Sequence, residues 1–274
     1  MKPTFETHLK TLWGAAAMPF AKTATQIHRW EGFQNAEASL NRLLALRLWG
    51  MVHGLNGVGK SQLVHTVAEA LPEKVYRPIR LSHSTLGASD LLRTLCHALE
   101  IQPAFRRSDI VEQIGRHWLK LAPVFPVILL DEAQNLHSQA LEELRLLSCA
   151  GLDARNLFGL VLIGDAHLLP RLQMGINHAL LQRMGFQIEL RPMDAEQSKD
   201  YVATRLQEVG IHSSPFEEAA TELLIRATAG IPRCINLIAQ TAIQNAVESS
   251  SRLVTSQHVQ KAIEHLHWLT PRSP

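Results

Sequence analysis

The stretch Gly54-Leu55-Asn56-Gly57-Val58-Gly59-Lys60-Ser61 decides how this chain is read. It fits G-x-x-x-x-G-K-[ST], the Walker A phosphate loop. The apolar run Gly50-Met51-Val52-His53 before it reads as a buried strand. Leu63, Val64, Val67, Ala68 and Leu71 after it recur at helical spacing, so the strand–loop–helix context of the motif is present. Glycines let consecutive backbone N–H groups curl around a triphosphate, and the N-terminus of the following helix adds partial positive charge. Lys60 is expected to reach the β- and γ-phosphates and the Ser61 hydroxyl to sit on Mg²⁺, with Gln62 completing the nucleotide-binding set.

A second landmark is Pro126-Val127-Ile128-Leu129-Leu130-Asp131-Glu132. Continuous apolar residues of strand length indicate a strand covered on both faces, as in a parallel sheet. Two acids at its C-terminal end make a Walker B candidate, placed where open α/β sheets form their ligand crevice. Asp131 is expected to hold the Mg²⁺ shell and Glu132 to orient or deprotonate the attacking water. A strand from Leu157 to Ile163 follows, ending in Gly164-Asp165. Asp165 either monitors the γ-phosphate or caps a turn. Helical residues then lead to Gln182-Arg183 and a fifth strand, Phe186 to Leu190. With a strand at Val75 to Leu81 and two helices behind it, the order βαβααβαβαβ predicts an α/β fold: a five-stranded parallel sheet sandwiched by helices with right-handed crossovers.

Three regions are expected: an N-terminal arm and helix over residues 1–48, the α/β core over 49–191, and a small all-α lid over 192–270. In the last, Asp194-Ala195-Glu196-Gln197 reads as a capping box. Ile235, Ile238, Ala239, Ala242, Ile243 and Ala246 form one apolar stripe at helical spacing. A net charge of +2 over 274 residues neither demands nor excludes a nucleic-acid partner. Cys96, Cys149 and Cys234 are widely separated and read as reduced core thiols. The longest apolar run, Val124 to Leu130, is far shorter than the roughly 20 residues a membrane helix needs. No signal peptide opens the chain, so no membrane partner and a cytoplasmic location are expected. The histidines form no metalloprotease pattern.

Taken in order, the phosphate loop, Leu129-Leu130-Asp131-Glu132-Ala133-Gln134, Ile163-Gly164-Asp165, Leu181-Gln182-Arg183 and Gly230-Ile231-Pro232-Arg233-Cys234-Ile235-Asn236 resemble an AAA+ P-loop ATPase. Within that class the chain is similar to the group holding the transposition regulators of the TnsC/TniB type and the secretion ATPase ExeA/GspA. The similarity runs from about residue 15 to 265 and includes Met18-Pro19-Phe20. It implies ATP with Mg²⁺ as cofactors and ATP hydrolysis as the activity. It also implies Arg233 as a sensor of nucleotide in cis, and Arg183 as an arginine finger inserted into a neighbouring subunit, with Arg171 second in line. A helix-dipole partner and a surface arginine are the plain alternatives for Arg183 and Arg233. Asp165 departs from the group, where an amide side chain is usual.

Two functions follow from the resemblance. One is a transposition regulator that forms a homo-oligomeric ring or helical filament on double-stranded DNA, recruiting or activating a transposase with a targeting protein. The other is an ATPase assisting assembly of a secretion system, whose relatives continue into a membrane helix and a cell-wall-binding part that this sequence lacks. A nucleotide-gated scaffold is a third class, opposed by the intact Asp131-Glu132 pair. Arg77, Arg80, Arg106 and Arg107 are the DNA-contact candidates, and Ser82 to Thr85 and the loop around Arg106 are candidate pore loops.

Overall fold

The computed structural model describes residues 5–21, 27–81, 87–148 and 156–268. Cys149 and the candidate loop Ser82 to Thr85 lie outside them. In chain order the helices and strands are α1 (Phe5–Trp13), α2 (Glu31–Ala45), β1 (Trp49–His53), α3 (Lys60–Ala70), β2 (Tyr76–Leu81), α4 (Ala88–Ala98) and α5 (Arg107–Leu121). They continue with β3 (Phe125–Leu130), α6 (Ser138–Leu147), β4 (Gly159–Gly164), α7 (Leu168–Gln173), α8 (His178–Leu181) and β5 (Met184–Glu189). Four helices close the chain: α9 (Ala195–Gln207), α10 (Glu218–Thr228), α11 (Pro232–Glu248) and α12 (Ser256–His265). Backbone contacts divide it into two compact units, one spanning Phe33–Leu190 and the other joining residues up to Gly32 with those from Arg191 onward.

In the first unit the five strands form one parallel sheet in the order β2-β3-β4-β1-β5. Every residue of β1, β3 and β4 is buried. This is why their runs are continuously apolar, whereas β2 and β5 at the edges alternate with exposed positions. The β1 ladder places His53 opposite Gly164, and the β3 ladder places Leu130 opposite Leu162. The C-terminal ends of β1, β3 and β4 therefore finish in one row. Behind the sheet, Phe158 is fully buried and stacks on Trp49 at 4.9 Å and on Trp118 at 4.5 Å between ring centroids. The Trp49 indole N–H donates to the Phe158 carbonyl at 2.8 Å, so the aromatic cluster has its polar atom on Trp49 satisfied.

The second unit is helical. The side chain of α11 supplies its centre: Ile235, Ile238, Ala239, Ala242, Ile243 and Ala246 are all fully buried. Asp194 caps α9 by accepting the Gln197 amide at 2.8 Å, and the Gln197 side chain accepts the Asp194 amide at 3.2 Å, the reciprocal pair expected of a capping box. The N-terminal arm belongs here. The Ala16 amide donates to Val209 O at 2.8 Å, the Trp13 indole to Arg252 O at 2.7 Å, and Phe20 meets Phe216 edge-on at 6.5 Å. Cys96 and Cys234 are buried thiols outside any disulfide, and burial pushes both above the usual thiol range.

Replacing Phe158 by Ala empties the centre of the aromatic cluster. The expected cost is about 3–5 kcal/mol, read as a lowered midpoint in urea unfolding followed by tryptophan fluorescence.

Candidate functional site

The phosphate loop starts where β1 ends. Gly54 has φ 153°, and a Cβ there would lie 2.4 Å from the Leu190 carbonyl oxygen, so only glycine lets the chain leave β1 past the end of β5. Val58 is fully buried and pins the loop. Gly59, in the left-handed region, turns the backbone into α3. Lys60, the first residue of that helix, is 9 % exposed. Its ammonium donates to Gly54 O and Leu55 O, each at 3.0 Å. The cation is thus tethered inside the loop, where a phosphate would compete with neutral carbonyls for it.

Ser61 follows and points the other way. Its hydroxyl donates to Asp131 Oδ2 at 2.8 Å, joining the first turn of α3 to the tip of β3. These two side chains border a cavity of about 140 Å³ with Val64, His65, Arg80 and Ile163. A hydroxyl and a carboxylate in contact are the hard oxygen donors that suit Mg²⁺, which keeps most of its shell as water and phosphate oxygen. The site's residues fit that ion, which when bound supplies charge to the β- and γ-phosphate oxygens.

Beyond Asp131 the chain bends sharply. Glu132 sits at φ 55° and ψ 35°, a left-handed conformation that a non-glycine residue holds only when its surroundings impose it. Here the Asp131 carboxylate accepts the Glu132 amide at 2.9 Å, and Ala133, fully buried, anchors the short turn Ala133–Asn135. The Glu132 side chain is exposed above the row of strand ends. Its Oε2 accepts from Gln134 Nε2 at 2.7 Å, and Gln134 Oε1 accepts the Asp165 amide at 3.2 Å. Asp165 itself accepts the His167 amide at 2.8 Å, the turn-capping role, from the tip of β4.

Motif spacing singled out neither Gln134 nor His53 as a functional residue. His53 ends β1, is buried, and meets Gln187 Nε2 at 3.0 Å through its own Nε2. Burial holds its pKa below the usual 6.5; Glu189 opposes that and Lys60 reinforces it. The signal available in sequence was only position, the last strand residue before the loop.

The arginines are dispersed. Arg183 is exposed, directly ahead of β5, and donates to the Ser148 hydroxyl. Met184 pairs with Trp49 at the start of β1, so Arg183 lies at the opposite end of the sheet from its own phosphate loop. Arg171 is tied to the Leu136 carbonyl inside the same unit. Arg233 is exposed in the first turn of α11, in the helical unit. Among the DNA candidates, Arg77 and Arg80 are three apart on β2, an odd spacing that sends them to opposite faces. Arg77 reaches Glu100 at 3.8 Å, while Arg80 borders the Ser61–Asp131 cavity, so they make no joint patch. Arg106 and Arg107 are both exposed, and Arg107 pairs with the buried Glu143. Next to Arg106, Phe105 is 94 % exposed. The Gln113 side chain holds this loop from both sides, accepting from Ala104 N at 3.1 Å and donating to Gln102 O at 2.9 Å.

Residues 46–172 match the family model described as AAA domain. Over this segment the chain is similar to that family. The chain is 29 % identical over 250 residues to general secretion pathway protein A of Aeromonas hydrophila, a match covering 88 % of this chain and 45 % of that protein. It is 30 % identical over 127 residues to the Mu-like prophage FluMu DNA transposition protein B of Haemophilus influenzae, covering 46 % of this chain and 41 % of that one. It therefore spans less than half the length of these relatives. The crystal structure of Cdc6p from Pyrobaculum aerophilum superposes with a TM-score of 0.71 over 93 % of this chain and 70 % of that one, at 17 % identity, a likeness of fold.

The α/β unit carries a histidine, His53, whose folded pKa is lowered, so the unfolded chain takes up the proton first as pH falls. Stability from His53 is present above the usual value of 6.5 and is lost below it. Thermal melts from about pH 7.5 down to about pH 5.5 are expected to show falling stability, with a shallower fall in His53→Gln.

Proposed function

We propose that this protein is an ATP-dependent regulator of DNA transposition that assembles as a homo-oligomer on double-stranded DNA and recruits or activates a transposase. The observation that carries the ATP-dependent part is the 2.8 Å contact between Ser61 and Asp131, the hydroxyl and carboxylate that would share Mg²⁺. Lys60 then binds the β- and γ-phosphates, and Glu132 orients or deprotonates the attacking water. Arg183, remote from its own loop, is the group offered to a neighbouring subunit, where a guanidinium stabilises charge on the γ-phosphoryl oxygens.

Support for DNA comes from the similarity to a DNA transposition protein and from the pre-ordered loop presenting Phe105 and Arg106. An arginine contacts phosphate without reading sequence, so weak base preference and strong salt dependence are expected. A second reading, assistance to secretion-system assembly, is favoured by the longer match to general secretion pathway protein A. The expected location is cytoplasmic under the first reading; no described helix is long and apolar enough to cross a membrane.

Negative-stain microscopy with duplex DNA and a slowly hydrolysed ATP analogue is expected to show rings or filaments at low salt. Their absence, with ATPase activity intact, would overturn the transposition reading in favour of the secretion one. In the same assay Glu132→Gln is expected to bind ATP, lose hydrolysis by about 100-fold or more, and hold the assembled state. Arg183→Ala is expected to bind ATP as a monomer and fail to hydrolyse it.

A further inference from the structure

Glu132 is exposed, sits on a left-handed backbone and carries a long, rotatable side chain. Such a group points in one direction only if something holds it. The holder in this structure is Gln134, two residues on, whose amide spans the gap between the Glu132 carboxylate at 2.7 Å and the backbone amide of Asp165 at 3.2 Å.

The orientation of that amide follows from its neighbours. The Asp165 N–H can only donate, so it selects the Gln134 oxygen; the Glu132 carboxylate can only accept, so it selects the nitrogen. Both partners demand the same flip. Glutamate at this position would keep the acceptor and lose the donor, and asparagine would be one methylene too short to span the same gap. The strand tip is shaped for the bridge as well. A Cβ on Gly164 would come 2.7 Å from Gln134 Oε1 and 2.9 Å from the Leu168 side chain, so the space beside β4 admits the amide because residue 164 is glycine. The turn bearing Gln134 is itself fixed, with the Asn135 amide donating to Glu132 O at 2.9 Å and Arg171 donating to Leu136 O.

We infer that Gln134 is the positioning residue for Glu132: it sets the direction of the glutamate carboxylate and locks it to the tip of β4. This rests on the reading of Glu132 as the residue that handles the attacking water. The link runs both ways through one side chain, so a shift of the β4 tip moves the carboxylate and a shift of the carboxylate is felt at Asp165. Gln134 contacts neither phosphate nor water in this role; it acts through Glu132.

The test separates the two halves of the bridge. Gln134→Glu retains an oxygen for the Asp165 amide and removes the donor to Glu132, whereas Gln134→Ala removes both. Steady-state ATP hydrolysis is expected to show kcat lowered by about tenfold or more in each, with KM for ATP and binding of a fluorescent ATP analogue within about twofold of the native protein. In the Glu132→Gln background, adding Gln134→Ala is expected to change the residual rate by less than about twofold, because residues acting as a unit are not additive. Native kcat in Gln134→Glu would overturn the inference, since a purely structural bridge needs only the acceptor. So would a loss of ATP binding as large as the loss of kcat, or a full additive loss in the double variant. If Glu132→Gln alone hydrolyses ATP at the native rate, the reading of Glu132 falls first and takes the inference with it.

Discussion

Everything functional in the α/β unit depends on a hydroxyl and a carboxylate meeting across the width of one strand. Ser61 belongs to the loop and helix after β1, Asp131 to the end of β3, and β4 lies between those strands in the sheet. Neighbouring strands are about 4.8 Å apart, so the backbones of β1 and β3 run about 10 Å apart. The phosphate loop must arch over the tip of β4 for Ser61 to reach. β4 itself ends in Gly164, where Gln134 and Leu168 already fill the space a side chain would take. The sheet order and the strand register together set the distance that this contact spans.

The same constraint explains why the acids are arranged as they are. Asp131 has both carboxylate oxygens engaged, Oδ2 by Ser61 and Oδ1 by the Glu132 amide, and the second contact helps force Glu132 into its left-handed turn. The turn brings Gln134 within reach of the β4 tip. A strained residue beside a charged one is often the mark of a site in which geometry is held at some cost in stability. Here the strain sits on Glu132, the residue proposed to handle the attacking water.

Charge is a poorer guide than position in this chain. Arg77 and Arg80 are close in sequence but on opposite faces of β2, because side chains alternate along a strand. Arg106 and Arg107 are adjacent and both exposed, yet Arg107 is turned to a carboxylate only 1 % exposed. What singles out the loop between α4 and α5 is the pairing of an exposed arginine with a wholly exposed phenylalanine on a backbone braced by Gln113.

The sequence by itself determined the architecture of the α/β unit and which residues stand at its strand ends. Continuous apolar runs of strand length bounded by turn signals read as strands buried on both faces, and a glycine-rich turn ending in Lys-Ser between strand and helix matches the phosphate-loop pattern. It also determined the α9 capping box and the apolar stripe of α11, since both are local patterns with a fixed period. Only the tertiary structure decided that the N-terminal arm packs with the C-terminal helices, because Ala16 with Val209 and Trp13 with Arg252 are contacts between distant positions that no periodicity encodes. It alone decided that Asp165 caps its own turn, that Arg80 faces the Ser61–Asp131 cavity, and that Gln134 joins Glu132 to β4. Hydrogen bonds between side chains depend on direction and on distances of a few ångströms, and those exist only once the strands stand in register.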